Sequence, residues 1–490
     1  MAKFGGVERA EAEAIFDAGR VRCVEFILGL AAGQARLEER LARLEEQSRR
    51  DSRNSSVPLS ADPPKTRAQR RAEARLKAKE WAKREGGAPR KAGGQPGRAG
   101  SGRKLAPEDQ IDEIVDHYPP ACGGCAREFE DTERAPSRRF GRHQVAELPP
   151  IAVVVTEHRT HRLCCPGCRA RTTAVLPGHL AGSAFGPRLQ AAVVTLTARN
   201  RVSRRDMSEL ARELFGIGLS TGTVDAICQR TSAALAGPHE ALVASVLAAP
   251  ALNADETGWR TAGEQRTLWT ACIERAAIFR VAADRHRDRL DELIGDYPGI
   301  VCSDRWWAYD RLDPECRQAC WQHLKRDFKH HAEGHDEQQT FGEQGLALTK
   351  RLFEAWHALD DHQDRDRLAA DIAPVQAELL GPLQHAARKS TRTRYHGRFA
   401  RNLLKLWPAL WTFVTTDGVE PTNNAAERSL RGPVIARKLS HGTRTQDGER
   451  FIERALSASV TCRLQRRSLF SYLSELLTAS SRGDPLPALT

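Results

Sequence analysis

The sequence has no apolar run approaching the roughly 20 residues that span a bilayer. Its first twenty residues, MAKFGGVERAEAEAIFDAGR, carry acids where an export signal would be hydrophobic. Both absences argue against a membrane protein, and a cytoplasmic location is the expectation. Negative charge is scarce in residues 65–104, which hold 14 Lys or Arg against 3 Glu and so account for almost all of the chain's net charge of +12. A tract so one-sided favours a polyanionic partner, because each phosphate it neutralises releases counterions; a solubilising tail is the plainer alternative. Twelve cysteines without an export signal do not suit a disulfide framework. Cys23, Cys228, Cys272, Cys302, Cys316, Cys320 and Cys462 follow no spacing rule and are expected to be small buried residues.

What is present suits a globular chain of roughly two to four domains: 490 residues, 40% hydrophobic and 28% charged. Residues 1–50 read as a helix, with Ile27, Leu30, Leu37, Leu41 and Leu44 on a spacing that suits a short coiled coil or a simple amphipathic helix. Residues 51–104 pass from Ser, Asn and Pro into a basic and then Gly-rich stretch, expected to be a flexible linker.

At 105–180 the cysteines acquire spacing. Cys122 and Cys125 stand in CGGC, Cys165 and Cys168 in CCPGC, with a β-branched insert between them that promises strands. A two-residue gap lets both thiolates of a knuckle reach one Zn²⁺ ion, so the pattern reads as a structural zinc-ribbon-like domain. Cys164 can compete with Cys165, but only Cys165 has the two-residue gap to Cys168. Residues 185–240 contain a helix-turn-helix pattern. Met207, Leu210, Ala211 and Leu214 share one helical face, FGIGLS turns the chain, and Ser220 can cap a second helix that faces Val224, Ile227 and Cys228 inward. Such pairs occur in proteins that bind DNA and in many that do not.

From 248 to 322 three short apolar runs, a helix around RHRDRLDELIGDY and the strand GIVCSD follow in the order that begins a ribonuclease-H-like fold. Asp255 is expected to end the first strand and Asp304 the fourth. Singly, either acid suits a solvated edge; together they suit two divalent ions, which need hard oxygen ligands. Glu256 would point to the opposite face by strand alternation. Glu427, in PTNNAAERSLRGPVIARKL, is the candidate third acid. Asn423 or Asn424 is the expected helix cap, and Arg428, Arg431, Arg437 and Lys438 follow as phosphate contacts. A helix start with surface charges is the plain reading of that stretch. His323 and Arg326 in CWQHLKRDF are further phosphate candidates, against a packing segment with a basic face. Trp306 and Trp307 suit either core packing or stacking on an unpaired base.

In combination, NSSVPLSAD, GGQPGRAG, YPPACGGC, CCPGC, NADETGWR, SDRWWAY, CWQHLKRDF, PTNNAAERSLR and RKLSHGTRTQDG resemble the DDE transposases of the insertion-sequence-66 family over nearly the whole chain. The resemblance implies that Asp255, Asp304 and Glu427 form a catalytic triad holding two Mg²⁺ ions, with Mn²⁺ as a substitute. It implies a multidomain α+β chain in which a helical insertion at 323–418 splits the ribonuclease-H-like core, whose second part with C-terminal helices occupies 419–480. It also implies cleavage and strand transfer on double-stranded DNA, at terminal inverted repeats and at target DNA, by a homo-oligomer of at least two protomers, with accessory proteins of the same element as further partners. Arg305, Arg98 and Gly432 depart from the family's usual residues without removing a ligand. The competing readings are a zinc-ribbon and helix-turn-helix regulator without catalysis, and a ribonuclease-H-like nuclease without strand transfer.

Overall fold

The computed structural model describes residues 16–21, 23, 24, 28, 105–134, 140–359, 364–388, 395–440 and 442–490. The expected N-terminal helix falls largely outside these residues, and the basic linker wholly so. The chain forms two compact units, residues 63–153 and residues 1–62 with 154–490.

In the first unit, a knuckle at Cys122 is closed by a bridge between Ala121 and Glu128. Arg127 and Glu133 pair beside it at 2.6 Å. The β-branched insert departs from expectation. Among its described residues no strand forms before Arg162, and Val154 and Val155, which begin the second unit's later segment, are 94% and 85% exposed. Pro149 and Pro150 lack the amide protons a ladder needs, and no neighbouring strand satisfies this stretch.

The second unit continues with an antiparallel hairpin of β1 (Arg162–Cys164) and β2 (Arg171–Thr173). Helices α1 (Pro187–Val194), α2 (Arg204–Phe215), α3 (Thr221–Ala234) and α4 (Ala236–Leu247) follow. Ser203 and Ser220 cap α2 and α3 by accepting from the amides of Asp206 and Thr223, and Gly216, at φ 64°, closes α2 in the left-handed conformation. Met207, Ala211, Val224, Ile227 and Cys228 are buried together, whereas Leu214 stays 53% exposed at the end of α2.

The sheet comprises β3 (Ala251–Thr261), β4 (Glu264–Cys272), β5 (Ala277–Ala282), β6 (Ile300–Ser303) and β7 (Arg317–Ala319), in the order β5-β4-β3-β6-β7. Ala262 and Gly263, at φ 52° and 87°, form the two-residue turn whose twist suits the β3–β4 hairpin. β3–β4 and β4–β5 are antiparallel; β3–β6 and β6–β7 are parallel. Helix α5 (Arg287–Ile294) makes the crossover between β5 and β6.

Beyond β7 come α6 (Trp321–Ala332), α7 (Asp336–His357), α8 (Arg365–Arg388) and α9 (Tyr395–Lys405). Their apolar faces form a cluster of their own, which reaches the sheet at Cys302 and Ala319. The chain then returns as α10 (Asn424–Ser440), α11 (Gln446–Leu464) and α12 (Leu469–Arg482). Trp259, Leu268 and Phe279 of the sheet bury Ala426 and Leu430 of α10. Helix α11 covers the edge strand β5: Thr461, Ser457 and Glu453, one turn apart, accept from the amides of Ala277, Phe279 and Val281 at 3.0, 3.0 and 2.8 Å. Free strand-edge donors are thus satisfied by side chains, which blocks pairing with another chain.

Candidate active site

Asp255 lies within β3 rather than at its end, a correction to the sequence expectation. β3 continues to Thr261 because β4 supports it from Asn253 onward, whereas its parallel pairing with β6 stops at Asn253 opposite Cys302. Two positions further along each strand stand Asp255 and Asp304, where the two strands part company. Strand alternation sends Asp255 toward α10 and Glu256 to the opposite face. There Glu256 is buried, accepts a hydrogen bond from the Tyr309 hydroxyl at 3.0 Å and pairs with Arg285. The Arg285 guanidinium lies 4.4 Å above the Trp306 ring. Trp306 therefore packs beneath an arginine, while Trp307 is exposed and meets His286 edge-on.

Asp304 is held by its own turn, its Oδ1 accepting from the Trp306 amide at 2.8 Å. Its carbonyl accepts from Arg317 at 3.1 Å, a fully buried arginine that also pairs with Asp310 at 3.5 Å. Glu427 sits in the first turn of α10, with Oε1 3.7 Å from His323 Nε2 on α6. Burial pushes the Asp255 carboxyl well above its ordinary range, and the charges of Glu256, Asp304 and Glu427 push it further in the same direction. Burial, then Asp304, also raises Glu256, against the pull of Arg285 and Tyr309.

Among the described residues, no group of three or more His, Cys, Asp or Glu side chains is placed to hold a metal ion. The donor chemistry nevertheless fits a divalent cation. Asp255, Asp304 and Glu427 offer hard oxygens, and their mutual repulsion at Asp255 is the kind of stress that a cation between carboxylates relieves.

Each cysteine pair has the geometry of a knuckle. Cys122 donates its amide to the Arg127 carbonyl at 2.8 Å and accepts the Ala126 amide on its own carbonyl at 2.8 Å. In the second unit, Cys165 repeats this with Ala170 and Arg169 at 2.9 and 2.8 Å. Ala126 and Arg169, each following the second cysteine, share φ values of 58° and 57°. Amides of Gly124 and Cys125 lower the Cys122 thiol, and amides of Cys168 and Gly167 lower Cys165, which suits thiolate ligands. Cys164 is exposed and donates to the Arg169 carbonyl instead. Of the cysteines expected to be buried, Cys228, Cys272, Cys302, Cys320 and Cys462 are; Cys23 is half-buried and Cys316 is exposed.

The candidate phosphate contacts separate by environment. Arg326, Arg428, Arg431 and Lys438 are exposed, Arg428 also lining a cavity, and Arg437 is tied to the Gly258 carbonyl at 2.6 Å. Asn423 is the residue that the sequence reading assigned most differently. Its side chain does not cap α10; it is fully buried and bonded to β3, donating to the Ala254 carbonyl and accepting from Asn253. Asn253, Tyr309, Arg285 and Arg317 were not foreseen, since none belongs to a spacing that local periodicity can register.

A family model described as Transposase IS66 family matches residues 182–450, more than half of the chain and all of the sheet. The chain belongs to the Transposase IS66 family. A second model, described as a family of unknown function, matches residues 6–104. Two proteins of Sinorhizobium fredii (strain NBRC 101917 / NGR234) are similar to this IS66-family chain. The one printed as Uncharacterized protein y4hP is 25% identical over 76% of this chain and 73% of its own length. Uncharacterized protein y4qI is 23% identical over 81% of this chain and 77% of its own. The transposase thus has a mixed α+β architecture around a five-stranded mixed sheet, and DNA is its implied partner. No described helix is long and apolar enough to cross a membrane.

Proposed function

We propose that this transposase cleaves DNA at the ends of its insertion sequence and joins the freed 3′-hydroxyl to target DNA, using Asp255, Asp304 and Glu427. These three residues would hold two Mg²⁺ ions, or Mn²⁺ in their place, which when bound supply activation of the attacking oxygen and stabilisation of the leaving one. The observation that supports the reading is that Asp255 and Asp304 each stand two residues past the last β3–β6 pair, Asn253 and Cys302, with the charges of Asp304 and Glu427 both raising Asp255. The strand order, with two antiparallel pairings followed by two parallel ones, supports a ribonuclease-H-like core interrupted by the helices between α6 and α9.

The chain's own residues then do the positioning. Tyr309 and Arg285 hold Glu256 on the far face of β3, leaving Asp255 to the site. His323 stands beside Glu427 and can orient it, and Arg326, Arg428, Arg431 and Lys438 place positive charge where a phosphate backbone would run. Helices α2 and α3 would serve as a helix-turn-helix that recognises the terminal inverted repeats, and the basic tract at 65–104 would add affinity that depends on salt. The knuckles of Cys122 and Cys125 and of Cys165 and Cys168 would supply thiolates for structural Zn²⁺. Pairing two element ends calls for at least two protomers.

Labelled element ends incubated with the protein, Mg²⁺ and a target duplex test the proposal. Cleaved ends joined covalently to target are expected. Cleavage without joining would make the protein a nuclease, and specific binding without either would make it a regulator.

A further inference from the structure

Behind α10 lies a cavity of about 690 Å³ that the carboxylate site does not use. The face of α10 formed by Ala425, Arg428, Ser429, Gly432 and Pro433 lines it, at the three- and four-residue spacing of one helical stripe. Glu427, one residue from Arg428, projects from an adjoining part of the same turn, and Asn253, two residues before Asp255, lies in the wall. The cavity therefore borders the two elements that carry the first and third acids.

Its chemistry is two-sided. Arg199, Arg201, Arg428 and Arg463 line it together with the acids Glu274 and Glu420 and with Arg365, which pairs with Asp417; none of the first four arginines forms an ion pair with a carboxylate among the described residues. Arg199 has only a long hydrogen bond, 3.4 Å, to the Ser459 carbonyl. Burial and the neighbouring Arg463 both pull the Arg199 guanidinium below its ordinary value, so like charges have been brought together. Ile273, with Leu456 and Val460 on the same stripe of α11 as Arg463, provides an apolar wall.

The backbone that delivers these arginines is irregular. Thr195–Arg199 forms a π-helical turn, and Arg201, a long side chain without glycine's freedom, takes φ 65°. π-turns and left-handed non-glycine residues are costly and collect at functional sites. The volume falls within the roughly 300–1,000 Å³ of small-molecule pockets, and an apolar wall facing a few convergent charges is the usual form of such a site.

We propose that this cavity seats one nucleotide of a DNA strand passing the carboxylate site, with Arg199 and Arg463 on its phosphate and Ile273, Leu456 and Val460 against its base. The assignment rests on the reading of the chain as a DNA strand-transfer enzyme. It adds a strand-holding subsite, separate from the triad, that fixes the path of the DNA relative to Asp255 and Glu427.

The full-length protein and a labelled duplex with a single-stranded extension of arbitrary sequence provide the test. Binding is measured against salt concentration for wild type, for Arg199→Ala with Arg463→Ala, and for Arg199→Lys with Arg463→Lys. The alanine pair should bind more weakly and lose about one unit of the log-log salt slope, while the lysine pair keeps most of it. A wild-type slope in the alanine pair, or an equal loss in the lysine pair, would overturn the proposal. Independently of either variant, iodouracil in the extension should crosslink on wild type to Trp356 or to residues 456–464; crosslinks confined elsewhere would also overturn it. Binding of deoxyadenosine monophosphate at the cavity with no change in DNA affinity on substitution would assign it to a free nucleotide instead and sink the strand-holding role. Cutting and joining, followed in parallel, report on the functional reading, whereas slope and crosslinks report on the cavity.

Discussion

Asn423 donates from Nδ2 to the Ala254 carbonyl at 2.7 Å and accepts from Asn253 Nδ2 at 3.0 Å, so the start of α10 is fastened to the strand position just before Asp255. Its backbone amide also reaches Cys320 Sγ at the head of α6, at 3.2 Å. One buried asparagine thereby sets the relation between the elements carrying Asp255, Glu427 and His323. Asn423→Ala leaves the Ala254 carbonyl and the Asn253 amide without these partners, at a cost of about 1–3 kcal/mol. Urea unfolding should show that loss, and strand transfer should fall beyond what the folded fraction accounts for. Unaltered stability would mean that the pair of bonds does not fasten α10.

Glu427→Gln keeps the size of the side chain and removes its charge. Strand transfer should drop about a thousandfold, equivalent to about 4 kcal/mol of transition-state stabilisation, with the melting temperature little changed because Glu427 is only partly buried. Activity near wild type would remove Glu427 from the triad.

Asp255 makes the metal-free protein sensitive to pH. Its carboxyl has an ordinary value near 3.8, and folding raises it well above that through burial and neighbouring acids. The folded chain therefore binds this proton more tightly than the unfolded one, so the contribution to stability is full below the ordinary value and lost as pH rises through the raised one. Asp255→Asn removes the buried charge and should stabilise the metal-free protein at neutral pH, with the gain vanishing in acid. Added Mg²⁺ should stabilise wild type and not the variant. Thermal melts across pH, with and without Mg²⁺, check both; a variant less stable than wild type at neutral pH contradicts the account.

The knuckles predict metal content. A serine hydroxyl stays protonated at neutral pH and cannot replace a thiolate, so Cys122→Ser and Cys165→Ser should each lower bound zinc severalfold in purified protein. The Cys164→Ser variant should retain it, since that thiol is turned to the Arg169 carbonyl. Elemental analysis decides, and full zinc in Cys165→Ser would transfer the ligand role to Cys164.

The strand alternation at Asp255 and Glu256 and the helix holding Glu427 could be read from local pattern, since periods of 2 and 3.6 residues survive in any window of the chain. The length of β3 was misread because "NADETG" ends in glycine and resembles a strand end, while the support of β4 is a pairing between segments. Asn423 was misassigned for a similar reason: asparagine before a helix is ordinarily a cap, and only the neighbouring β3 gives its amide a better use. The arginines of the cavity come from positions 199, 201, 365, 428 and 463, segments too far apart for any spacing rule to join them. Sequence reasoning thus proposed the acids and missed the residues packed around them.

Arg305, the residue after Asp304, has a role visible only in three dimensions. From Nε and Nη2 it donates to Asp327 Oδ2 at 3.1 and 2.7 Å, from Nη1 to Asn402 Oδ1 at 2.7 Å, and its guanidinium lies 4.8 Å from the Phe399 ring centre. The residue next to Asp304 thus grips both α6 and α9, so the helical insertion is tied to the second acid through a single side chain. Arg305→Ala should cost about 1–2 kcal/mol, since charge-assisted bonds are lost but Asp327 remains partly solvated. Amide exchange should speed up in Trp321–Ala332 and Tyr395–Lys405 before it does in β3 or β4. Arg305→Lys cannot reproduce the forked geometry and should recover little of the protection. Faster exchange spread evenly over sheet and insertion would show that Arg305 serves general stability, and that the insertion is held to Asp304 by other contacts.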